Sequence, residues 1–150
     1  ANINNIQINE AKEVIPMIDI QYTIETEQYG NKTGNRLFIP ANIFRKGFTT
    51  PDLKQRVQDI HINYGYLDTD SICLQIPEGY TIESLPKTCQ VTSSFGSFSS
   101  SLMIKDKEIC IIHRLLMHRG IYPKEIYKDF LEFRKQIAAQ YSSKIILKKE

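Results

Sequence analysis

The sequence predicts a mainly β, α+β domain: an antiparallel β-sandwich-like arrangement with one long C-terminal helix followed by a short strand. Three observations carry this. Apolar and polar residues alternate with period two in several short runs, as in MIDIQYTIET (17–26) and VQDIHINY (57–64). Gly, Pro, Asn and Asp punctuate those runs. The period changes once, after Pro123, to gaps of three and four.

Taken in order, residues 17–26 place Ile18, Ile20, Tyr22 and Ile24 on one face and Asp19, Gln21, Thr23 and Glu25 on the other. That pattern predicts a half-buried antiparallel strand. QYGNKTGN (28–35) supplies a turn, and RLFIPANIF (36–44) a short strand interrupted at Pro40. Residues 45–55, with Gly47 and Pro51, read as an exposed loop. Residues 57–64 alternate around Ile60, Ile62 and Tyr64. Asp68 to Asp70 then read as a turn, and Ile72, Leu74 and Ile76 as a strand face. Pro77-Glu78-Gly79 fits a type I turn with Pro second and Gly fourth. TIESLP (81–86) and residues 88–104 continue the meander, with a bulge or bend expected at Gly96. Lys105-Asp106-Lys107 marks a hairpin turn, and EICIIHRLLMH (108–118), apolar on both faces, a central strand. From Pro123 the stripe Ile126, Phe130, Phe133, Ile137 and Tyr141 predicts an amphipathic helix over 123–141. KIILKK (144–149) closes the chain as a strand that returns beside an earlier one.

A chain of 150 residues with 41% hydrophobic and 24% charged residues suits one ordinary soluble domain, 1–150, with no composition shift that forces a boundary. Its 19 basic and 17 acidic residues are mixed along the chain, which argues against nucleic acid as a partner. No apolar run reaches the roughly 18–20 residues of a membrane span. The opening ANINNIQINEAKE lacks the features of a signal peptide and an initiator Met, so a piece of a longer protein is expected.

The residue types that carry chemistry are sparse. Cys73, Cys89 and Cys110 match neither a zinc motif nor a disulfide framework. Cys73 and Cys110 lie in apolar runs and read as small core residues; a disulfide, if one forms, is expected to involve Cys89. His113 and His118 are five apart, on opposite faces of a strand, and cannot converge on one metal. None of the cysteines directly precedes a helix that would stabilise a thiolate. Asp68, Asp70, Glu78 and Glu83 lack the spacing of a calcium loop. No catalytic residue, metal ligand or cofactor is assigned, and no enzyme activity is expected. Most of the 8 Tyr and 7 Phe fall on buried faces. Tyr64, Tyr66, Tyr80, Phe95 and Phe98 are the exceptions and the candidate ligand or interface contacts.

IPEGYTIESLPK (76–87), the Phe-Gly-x-Phe segment after it, and YPKEIYKDFLEFRKQIAAQYSSKIILKK (122–149) carry a family resemblance over about residues 56–149. The chain resembles the uncharacterised C-terminal domain of Bacteroides-type multi-domain proteins with a transglutaminase-like, papain-fold module. The resemblance implies an accessory, non-catalytic role in packing, substrate presentation or protein contact. Its partner would be the upstream transglutaminase-like module of the same polypeptide, which holds the Cys-His-Asp set. It also implies export to the periplasm or cell surface. The alternative is a ligand-binding module that uses exposed aromatics for glycan or peptide.

Overall fold

The computed structural model describes residues 2–150 apart from 13, 15, 16, 28, 43, 45–49, 54 and 55. Contacts divide the chain into two compact units, residues 1–31 and 32–150. Composition does not announce this division, because it arises from strand pairing. The first unit is a two-stranded antiparallel sheet of β1 (Asn2–Ala11) and β2 (Met17–Glu25). The strand expected at 17–26 is present, but it is not half-buried: Ile18, Ile20, Tyr22 and Ile24 are all exposed. Its partner β1 escapes a reading by periodicity because a register shift between Asn4 and Gln7 interrupts the alternation.

The second unit is mainly β, with antiparallel sheets and one C-terminal helix followed by a strand. One four-stranded sheet has the order β6 (Tyr66–Gln75), β10 (Glu108–Met117), β9 (Gly96–Lys105), β8 (Cys89–Ser93). The other has the order β3 (Asn31–Thr33), β4 (Arg36–Pro40), β12 (Lys144–Lys149), β7 (Tyr80–Ser84). A third pair joins β5 (Ile60–Ile62) to β11 (Gly120–Tyr122). The final strand returns between two earlier ones, β4 and β7, as its short apolar run suggests. β10 is central, as expected. Ile109, Ile111, His113, Leu115 and Met117 form its buried face, while Ile112 and Leu116 on the other face are each 37% exposed.

Asp68 and Asp70 do not form a turn. Both lie within edge strand β6, which pairs with β10 over ten residues, and their side chains share the face of Leu74 and Ile72. Inward-pointing acids on an edge strand discourage pairing with another chain. The turn after β6 is set one residue later than expected. Tyr80 N donates to Pro77 O at 3.2 Å, which puts Gly79 third in the turn with φ 74°, where a side chain would be strained. Asp106, at φ 53°, makes the predicted β9–β10 turn. Gly96 opens β9 rather than bulging it. A Cβ there would sit 1.9 Å from Leu116 O, so only glycine permits this approach to β10.

A 3₁₀ turn (Lys124–Ile126) follows Pro123 and leads into α1 (Tyr127–Tyr141). Ser142 and Ser143 end the helix, their hydroxyls donating to Ala138 O and Gln140 O at 2.8 and 2.6 Å. The buried face of α1 is Tyr127, Leu131, Phe133, Ile137 and Tyr141. Ile126 and Phe130 of the expected stripe are only partly buried. The tighter 3₁₀ winding takes Ile126 off the helical face, and Phe130 lies at its margin, edge-on to Phe95 at 5.0 Å. This face and Phe95, Phe98, Leu115, Met117 and Ile60 make one continuous core. Much of the expected loop 45–55 falls outside the described residues. Residues 50–53 have no regular structure and are tied to α1: Arg134 Nε donates to Thr50 Oγ1 at 3.1 Å, and the Tyr127 hydroxyl donates to Pro51 O.

Candidate functional site

The register of the first sheet lines up the chemically versatile side chains. Asp70 lies opposite His113, His113 opposite Ser100, and Ser100 opposite Cys89, a row across β6, β10, β9 and β8. Asn42, which follows β4, reaches this row. Its Nδ2 donates to Asp70 Oδ2 at 3.1 Å and lies 3.4 Å from His113 Nδ1, while its Oδ1 accepts from Phe44 N at 3.1 Å. The His113 ring packs on Phe98 (5.7 Å) and edge-on to Tyr141 (5.2 Å).

Acid, imidazole, hydroxyl and thiol in sequence are the ingredients of a nucleophilic relay. The surroundings are wrong for one. His113 is 1% exposed, Ser100 5% and Asn42 2%, so no substrate atom has access. Burial pushes the Cys89 thiol up, against a smaller opposing effect of a hydrogen bond to the Ser100 backbone, and so favours the un-ionised form. The row is a largely buried polar network that fastens the segment after β4 to the sheet. Sequence reading missed it because its members are up to 71 residues apart.

Cys73 and Cys110, expected as free core residues, are joined in a disulfide, and Cys89, the expected participant, is free. The reason is register: the two cysteines lie directly opposite each other on β6 and β10. Among the described residues, the one group with metal-ligand geometry is Cys73, Glu108 and Cys110. The disulfide occupies both sulfurs, so this group does not offer a thiolate site. The acids once grouped by sequence are dispersed. Asp70 takes the Asn42 amide, and Glu83 on β7 is gripped by Arg36 on β4 through three bonds of 2.7–2.9 Å. That guanidinium holds the Glu83 carboxyl below the usual range.

The five candidate aromatics part company. Phe95 and Phe98 are 0% and 1% exposed, which corrects the expectation that they offer contact surface. Phe95 sits in the β8–β9 turn, yet α1 and β11 cover it, with Tyr122 at 4.7 Å and Phe130 at 5.0 Å. Tyr66 hydrogen-bonds Arg134, whose guanidinium burial depresses. Tyr80 is half-buried at the start of β7. Tyr64 alone is widely exposed, at 82%. It borders an open cleft of about 410 Å³ lined by His61, Ile62, Asn63, Arg119, Gly120 and Ile121. Close packing shapes this cleft. A Cβ on Gly65 would lie 3.1 Å from Met117 O, and one on Gly120 would lie 2.9 Å from the Tyr122 ring. The cleft presents an aromatic face, an imidazole, a carboxamide and a guanidinium, a set suited to hydrogen-bonding and stacking on a polar ligand. A smaller cleft of about 220 Å³ lies between β8 and α1 and is lined by Asp129 and Glu132.

Residues 35–147 match the family model described as a domain of unknown function with a solved structure, DUF3858, and the chain belongs to that family. No curated protein matches the chain. A crystal structure of a protein described as a "putative protease" from Parabacteroides distasonis shares the fold. It has a TM-score of 0.60 and 10% identity over 81% of this chain. The chain spans 24% of the length of that protein.

Proposed function

We propose that this member of the family is a non-catalytic accessory domain of a longer, exported protein whose transglutaminase-like, papain-fold module performs the chemistry. The observation that carries the reading is the similarity of its fold to a fraction of a much longer protein described as a "putative protease". The sealed His113 and the un-ionised Cys89 support the absence of a nucleophile of its own. The Cys73–Cys110 disulfide supports an oxidising compartment, periplasm or cell surface. Among the described residues no helix is long and apolar enough to cross a membrane. The test has two parts. The full reading frame of the gene is expected to encode a papain-type module ahead of this domain. The 150-residue chain is expected to leave labelled peptides and amine acceptors unchanged. A frame without such a module, or turnover abolished by Cys89→Ser, overturns the proposal.

The cleft beside Tyr64 favours a second reading, a binding module for glycan or peptide. Under it, oligosaccharides or peptides would shift the NMR signals of His61, Tyr64 and Arg119, and Tyr64→Ala would remove the response. Unshifted signals with both ligand classes would dismiss it.

A further inference from the structure

The β1–β2 hairpin has one largely apolar face, with Glu10 opposite Ile18 near its open end, and one largely polar face that also carries Ala11 and Met17. Register pairs Ile3 with Ile24 and Ile8 with Ile20. Ile18 and Tyr22 share that face of β2 by their even spacing, and Ile6 shares the β1 face with Ile8. Ile3 and Ile8 are an odd number of residues apart and would point to opposite sides of a regular strand. The register shift between Asn4 and Gln7, with Asn5 at φ 54°, restores them to one side. An extra residue of this kind re-aims side chains, and Asn tolerates the left-handed conformation. The opposite face carries Asn2, Asn4, Gln7, Asn9, Asp19, Gln21, Thr23 and Glu25. The seven apolar side chains are 41–65% exposed.

We propose that this face is an isologous interface that stacks on the same face of a second copy of the chain. Three observations point to that occupant. The first is area. Seven side chains roughly half exposed leave on the order of 700 Å² of apolar surface, close to the roughly 800 Å² per partner of a standard interface and beyond the patch usual on a monomer. The second is composition: six Ile and one Tyr dominate the face, with the single charge, Glu10, at its end opposite Ile18, so two copies related by a two-fold axis can join their apolar parts. The third is the hairpin itself. A two-stranded ribbon is marginal alone in water, whereas two ribbons stacked at about 10 Å make a small sandwich with a dry centre. The proposal is independent of the accessory role above and of the cleft at Tyr64.

Sedimentation equilibrium of the 150-residue chain, over a range of micromolar concentrations, is expected to give twice the 17.4 kDa chain mass. Ile20→Glu is expected to return the protein to monomer, and Gln21→Glu, on the polar face, to leave the dimer intact. Because Ile20→Glu also puts the ribbon itself at risk, isotope-filtered NMR of the wild type is the second readout. Intermolecular contacts are expected among the methyls of Ile3, Ile6, Ile8, Ile18, Ile20 and Ile24. A monomer at every concentration, which would leave the face to another part of a longer polypeptide or to another protein, overturns the proposal. So does a dimer whose intermolecular contacts lie elsewhere.

Discussion

Reducing the Cys73–Cys110 bond should cost this domain a large fraction of its stability. The bond joins residues 37 apart in sequence, and the intervening chain contains all of β7, β8 and β9. A cross-link closing a loop of that length removes denatured-chain entropy equivalent to about 4 kcal/mol at 25 °C on the chain-entropy model. Total stabilities of small domains are about 5–15 kcal/mol, so the reduced protein should be marginal. With a urea slope near 2 kcal/mol/M, the unfolding midpoint should fall by about 2 M. The measurement is a pair of urea melts, with and without reductant, in a Cys89→Ser background that prevents reshuffling. A thiol count on the oxidised, denatured wild type should find one free thiol, and none in Cys89→Ser. Three free thiols, or a midpoint indifferent to reductant, would refute the reasoning. One free thiol in the wild type but two in Cys89→Ser would show that Cys89 is a partner and that the pairing is different.

Phe133, 2% exposed on the buried face of α1, should cost about 3–5 kcal/mol when replaced by Ala, whereas exposed Lys128→Ala should cost under about 0.5 kcal/mol. Equal effects of the two in denaturant melts would mean the wrong helix face has been assigned. Gly79→Val should lose about 1 kcal/mol or more from backbone strain alone, since nothing lies within 4 Å of a Cβ there. Gly96→Val should be far worse, because its Cβ would meet the Leu116 carbonyl. A milder melt for the Gly96 variant would contradict the β9–β10 register. Glu83 has its carboxyl lowered by Arg36, so the pair supports the fold above the ordinary glutamate value of about 4.3, and that support is lost as pH falls through the folded-state value. NMR titration should show the Glu83 carboxyl rising toward the ordinary value in Arg36→Ala, and an unmoved titration would break the assignment. Glu83→Gln should flatten the acid limb of a stability–pH profile.

Local features were readable without a structure. The alternation at 17–26, the Asp106 turn, the change of period after Pro123 and the terminal apolar run each depend on residues within a few positions of one another. Each corresponds to an element: β2, the β9–β10 hairpin, α1 and β12. Even the central place of β10 was legible in its near-continuous apolar run, although its second face is only partly covered, with Ile112 and Leu116 each 37% exposed. What tertiary structure decided was partnership. Asp68 and Asp70 have turn chemistry, but the ten-residue pairing of β6 with β10 draws them into a strand. Phe95 sits in a turn, where aromatics usually meet water, until α1 folds over it. Cys73 finds Cys110 and Asn42 finds His113 because strand order brings distant segments into register, 37 and 71 residues apart. Periodicity records which way a side chain points along its own strand. It does not record which strand lies alongside, and that choice made the disulfide and assembled the polar row.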